Sequence, residues 1–126
     1  MQNIFDRSIC DQHIARINKL TTTTKPQWGK MNAAQMLAHV SKPYEMVCDP
    51  NYGATHKRPN AVVRFLLKRF LKPIVVGPKP YAKNSRTAPD FIVADERVLE
   101  TERKRIIDHI NQVQAWGTKH FEGKDN

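Results

Sequence analysis

His39 and a run of lysines and arginines are the residues of this 126-residue chain whose types and spacing offer chemistry. His39 lies between Met36 and Pro43 on a stretch with helical apolar spacing, near the edge of the apolar stripe. A neutral imidazole in such a place can ligate a metal, although a single helical histidine more often finds a hydrogen-bond partner at a core boundary. His13, His56, His109 and His120 include no pair at the i, i+3 or i, i+4 separations that set two ligands on one helical face. A site between helices, from His39 with His109 or His13, is sterically open to a bundle, but no spacing singles it out. Cys10 and Cys48 make no C-x-x-C or other close pair, so a reduced pair is expected rather than a thiolate zinc site. Glycine-rich phosphate loops, G-x-S-x-G and H-E-x-x-H are absent from the sequence.

The cations form the second candidate. Lys and Arg number 21 against 12 Asp and Glu, a net charge of +9, and the surplus is local. Residues 50–89 hold Lys57, Arg58, Arg64, Lys68, Arg69, Lys72, Lys79, Lys83 and Arg86 without one acid, which leaves twelve cations against twelve acids elsewhere. One basic segment on a balanced chain makes a positive face that attracts phosphates, anionic lipid or an acidic substrate; its plainer reading is a solvated helix face. The aromatics within it are few, and Phe65 and Phe70 are expected to be buried, so a base-stacking platform has little support.

The elements that must position these residues are helical. Cys10, Ile14, Ile17 and Leu20 lie on one stripe of a helix expected over residues 6–20, capped by Asp6 or Ser8. Thr21 to Thr24 and Lys25-Pro26 then enforce a connection, which Trp28 is expected to pack down. Asn32 followed by Gln35 is the pattern of a capping box, with Met31 and Met36 placed as a hydrophobic staple. From there Met36, Val40, Tyr44 and Val47 make the expected buried stripe of helix two, beside Leu37. Pro43 should kink that helix and Asp49-Pro50 should end it.

Asn60 caps a third helix expected over residues 61–71 and stopped by Lys72-Pro73. Val63, Leu66, Leu67 and Phe70 mark its apolar side, and Arg64, Lys68 and Lys72 repeat as a basic stripe. A membrane-surface helix would look like this, but a domain of this size needs the apolar face for its core, so a core helix with solvated cations is expected. Residues 73–95, with Pro73, Pro78, Pro80 and Pro89, read as a long proline-rich loop of functional or mobile character. Asp95 should cap a last helix over residues 96–116, with Leu99, Ile106, Ile110 and Val113 on one face, Gly117 as its stop and a fraying tail beyond. No repeats occur and no apolar run reaches the roughly 18 to 20 residues of a membrane helix. The expected fold is one all-α domain, an up-and-down four-helix bundle.

Pro26-Gln27-Trp28-Gly29-Lys30-Met31 followed by Ala34-Gln35-Met36-Leu37-Ala38-His39 resembles the start of the second helix in the DinB/YfiT-like superfamily. Pro43-Tyr44-Glu45-Met46, Gly77-Pro78-Lys79-Pro80, Lys83-Asn84-Ser85 and Thr87-Ala88-Pro89 extend the likeness to one uncharacterised bacterial branch. The resemblance implies a DinB-like four-helix bundle, whose members often bind nickel, zinc or iron through three histidines and include thiol-dependent transferases, isomerases and hydrolases. His39 matches the first ligand. The family's second and third ligands lie on a final helix after a His-Pro-Phe-Phe-Gly-like turn, whereas this sequence stops at Lys124-Asp125-Asn126 before that region. His109 and His120 do not match those positions.

Two readings of function follow. The first is a descendant of a divalent-metal-dependent transferase or hydrolase acting on a small-molecule or thiol substrate, with His39 as the surviving ligand and an incomplete site. Loss of a bundle helix would then favour a homodimer that covers the exposed apolar surface. The second is a non-enzymatic binding module in which Arg64, Lys68, Arg69 and Lys72 engage an anionic partner, nucleic acid or anionic lipid. The opening residues lack the basic start and apolar stretch of a secretory signal, so cytoplasm is the expected compartment.

Overall fold

In the computed structural model, which describes residues 2–55 and 59–122, every regular element among those residues is helical and none is a strand. The readings placed on His56, Lys57, Arg58 and residues 123–126 lie outside the described residues. Helix α1 spans Arg7–Asn18, where the Asp6 carboxylate accepts from the Ser8 N–H and so satisfies one open donor of the first turn. Helix α2 spans Ala33–Cys48 and opens with the complete capping box: Asn32 Oδ1 accepts from Gln35 N at 2.9 Å, and Gln35 Oε1 accepts from Asn32 N at 3.1 Å. It runs through Pro43 without ending.

The buried side of α2 is Ala33, Ala34, Leu37, Ala38 and Ser41, which corrects the expected stripe, since Val40 and Val47 are exposed and Met36 and Tyr44 only half-buried. Small side chains won this face because they let another helix approach closely, and the Ser41 hydroxyl stays satisfied by donating to the Leu37 carbonyl at 2.9 Å. The helix that approaches is α4, Leu99–Phe121, which buries Leu99, Ile106, Ile110 and Val113 as the spacing predicts. Cys10, Leu37, Ile106 and Ile110 meet in one core with Ile14, Ile17 and Leu20 packed around it, so α1, α2 and α4 share a single apolar centre. Arg103 of α4 closes the end of α1, donating to the carbonyls of Ile17 and Leu20 at 2.6 Å each.

Helix α4 begins later than Asp95 predicts. Val98 occupies its N-cap without a side-chain bond, because Asp95 is drawn to Arg97, with Oδ2 2.9 Å from Nε, and its carbonyl accepts from Gln35 Nε2 at 3.0 Å. Gly117 breaks the helix as its sequence position foretells: its φ of 72° is left-handed, where a side chain is strained, although one more helical turn follows to Phe121. Trp28 does not pack its loop down but stands 46% exposed. Trp116 instead stacks on His120 with ring centroids 4.2 Å apart and meets Phe121 edge-on.

The third helix departs furthest from expectation. Residues 61–75 form one run, α3, made of an α segment Ala61–Leu66, a π turn Leu67–Leu71 and an α segment Lys72–Val75. Lys72-Pro73 therefore does not stop it. Pro73 has no N–H, and its ring would press on the Arg69 carbonyl in a regular α turn; the wider π turn, where Lys72 N–H donates to the Leu67 carbonyl, carries the chain past that obstacle. Gly77 fits after it because a Cβ there would lie 2.6 Å from the Pro73 carbonyl oxygen. The apolar face of α3 is not core, since the shared core contains none of its residues.

Candidate functional site

Two places merit description, the surroundings of His39 and the free surface of α3. His39 is half-buried on α2, one residue past the small-residue face, and its ring points to the end of the long loop. There Ala88 O accepts from Phe91 N at 2.9 Å, closing a single 3₁₀ turn, Pro89–Phe91. Nδ1 of His39 lies 2.8 Å from the Phe91 carbonyl, and the two rings meet edge-on with centroids 6.4 Å apart. A carbonyl only accepts, so Nδ1 carries the proton in this bond, and in the neutral ring Nε2 keeps a lone pair. Metal-bound histidines commonly have this outer bond. Here its evident effect is mechanical, since His39 and Gln35 together tie residues 91–95 to α2 and Val93 is buried behind them.

Among the described residues no three His, Cys, Asp or Glu side chains lie together so that they could hold an ion, and a catalytic zinc takes about three protein ligands. A hollow of about 220 Å³ nearby is lined by Lys42, Glu45, Asp49, Tyr52, Asp90 and Phe91, not by His39. Residues 79–89 of the long loop are exposed. His109 stacks on Tyr44 with ring centroids 6.0 Å apart, and burial pushes its imidazole below the ordinary 6.5, against the opposing pull of Glu45. Cys10 and Cys48 are free thiols, each pushed up by burial, and Cys10 donates to the Ile4 carbonyl at 3.0 Å. Such thiols are poor nucleophiles.

A charged cluster not foreseen from the sequence sits against the core. Glu102 is only 3% exposed, with Oε1 3.3 Å from Arg97 Nη1 and Oε2 3.6 Å from Arg105 Nη1. Its signal was available, because residue 102 is three past Leu99 and four before Ile106 and so belongs to the buried face of α4. These ion pairs brace the start of α4.

Helix α3 is different in kind. Val63, Leu66, Leu67, Phe70, Leu71 and Ile74 line one continuous apolar surface, and all six are exposed, Phe70 and Ile74 at 63% each. Lys68, Arg69 and Lys72 are exposed and Arg64 is half-buried, and no carboxylate among the described residues pairs with any of the four. The Arg69 guanidinium sits 5.6 Å from the centroid of the Phe70 ring, a cation set over an aromatic face. At the far end the Tyr81 hydroxyl donates to the Val75 carbonyl at 2.8 Å, and Lys79, Lys83 and Arg86 continue the exposed positive charge. The expectation that Phe65 and Phe70 are buried is therefore corrected; the core formed by α1, α2 and α4 closes without them. Compared with known proteins, the chain matches no family model, no curated protein and no solved structure.

Proposed function

We propose that this protein is a helical binding module that engages an anionic partner through α3. The observation that carries this reading is the position of that helix: its four cations lack acidic partners among the described residues and its apolar side chains lie outside the core. Exposed apolar patches rimmed by charge mark interaction surfaces, and a run of like charges raises the local concentration of polyanions. Retention on immobilised heparin tests it. The wild-type chain should elute at clearly higher salt than the variant carrying Arg64→Gln, Lys68→Gln, Arg69→Gln and Lys72→Gln, because each lost anionic contact lowers the salt dependence of binding. Equal elution would refute the reading.

His39 supports a second reading, in which the helices form a DinB-like bundle with its proline-rich loop, inherited from an enzyme that used nickel, zinc or iron on a small-molecule or thiol substrate. The Nδ1 bond to Phe91 leaves Nε2 as the free donor, as in a metal-bound histidine. A single chain supplies too few neighbouring donors among its described residues, so this reading draws its missing ligands from a second copy in a homodimer or from other histidines. Metal content of protein purified without chelator or affinity tag decides it: near-stoichiometric metal lost in His39→Ala supports the reading, and metal-free wild-type protein rejects it.

A further inference from the structure

We propose, resting on the reading of α3 as an anion-binding helix, that its partner is the surface of an anionic lipid bilayer, on which the helix lies flat with its apolar side sunk between headgroups. Cations and large apolar groups occur on the same short helix and both are presented outward. Nucleic acid would satisfy Arg64, Lys68, Arg69 and Lys72 and give the exposed Phe65 and Phe70 rings bases to stack on, but it offers nothing to the more numerous aliphatic side chains Val63, Leu66, Leu67, Leu71 and Ile74. A second copy would cover the apolar side, yet α3 against α3 sets four cations beside four more with no acid in either helix. A bilayer interface supplies both needs at once, acyl chains for the apolar residues and headgroup phosphates for the cations.

The details of the helix agree with this placement. At 1.5 Å per residue α3 is about 22 Å long, enough to lie along an interface, and no helix among the described residues is long and apolar enough to cross a membrane. The π turn past Pro73 extends the apolar surface as far as Ile74. Arg69 beside Phe70 and Tyr81 at the C-terminal end, its ring 61% exposed, supply amphipathic side chains suited to the headgroup level. Lys79, Lys83 and Arg86 then follow on the same loop to meet further phosphates.

Vesicle co-sedimentation, run beside heparin retention, tests the partner separately from the anion-binding reading. The wild-type chain should pellet with vesicles of phosphatidylcholine and phosphatidylserine, not with phosphatidylcholine alone, and release as salt rises. Neutralising the four cations should weaken vesicle partitioning by about five-fold per charge. Leu67→Ser with Ile74→Ser should weaken it by at least about ten-fold while leaving heparin elution unchanged, since two exposed apolar groups are lost and no charge is altered. Both residues lie outside the core, so an unchanged circular dichroism spectrum and melting curve are expected of that variant. Heparin retention without vesicle binding, or vesicle binding that ignores Leu67→Ser with Ile74→Ser, overturns the bilayer as partner and leaves the anion-binding reading standing. Tighter binding to single-stranded DNA than to the anionic vesicles does the same. Failure to bind either heparin or anionic vesicles overturns both.

Discussion

At the scale of residues, the core is fixed by side chains that resolve a conflict between burial and polarity. Glu102 is buried yet lies within ion-pair distance of Arg97 and Arg105. Glu102→Ala removes two ion pairs and buried packing, although Arg97 keeps Asp95 and Arg105 keeps Glu45, so unfolding in urea should show a loss of about 1 to 3 kcal/mol; an unchanged midpoint would contradict the assigned role. His109 makes a pH-dependent contribution of known sign. Its folded-state pKa lies below the ordinary 6.5, chiefly through burial, while Glu45 and Asp108 pull it up and Arg105 pushes it down. The unfolded chain therefore takes up the proton first, and the stability tied to neutral His109 is complete above 6.5 and lost as pH falls through that value toward the folded one. Urea midpoints compared between about pH 7 and pH 5 should fall more in the wild-type chain than in His109→Gln, and parallel curves would remove His109 from the account.

At the scale of elements, the contrast between α2 and α3 is the useful one. Leu37 of α2 is 1% exposed at the centre of the core, and Leu37→Ala should cost about 2 to 5 kcal/mol through lost contacts and an unfilled cavity. Phe70 of α3 is a larger apolar side chain, but Phe70→Ser should leave the melting midpoint within about a degree, because it removes no core contact. Comparable destabilisation by the two substitutions would mean that α3 packs on the bundle after all. The sequence made α1 and the start of α2 legible through local signals, since Asp6 and the Asn32–Gln35 box act within a few residues of themselves. It misled about the face of α2, where alanines and a serine displaced larger residues because helix approach is a long-range property that spacing does not carry. It also misled about Pro73, whose obstacle is absorbed by a π turn instead of a helix end.

At the scale of the whole molecule, three helices bury one another and a fourth faces outward with the chain's positive surplus. The sequence located that surplus, and its residues Arg64, Lys68, Arg69 and Lys72 are indeed together on one helix, but the rule that a small domain consumes its apolar faces assigned Phe65 and Phe70 to the core. That rule counts apolar residues without asking which helices meet. His39 was legible as a boundary histidine, whereas its partner, the Phe91 carbonyl, is 52 residues away in sequence and only the fold brings it near. The division into a closed core and an outward basic helix is the central claim, and hydrogen exchange read by mass spectrometry with and without phosphatidylserine-containing vesicles tests it most directly. Amides of residues 61–75 should exchange quickly in free protein and slow on the vesicles, while those of α1, α2 and α4 hold the same protection in both states. Strong protection of residues 61–75 in free protein, equal to that of α2, would contradict it.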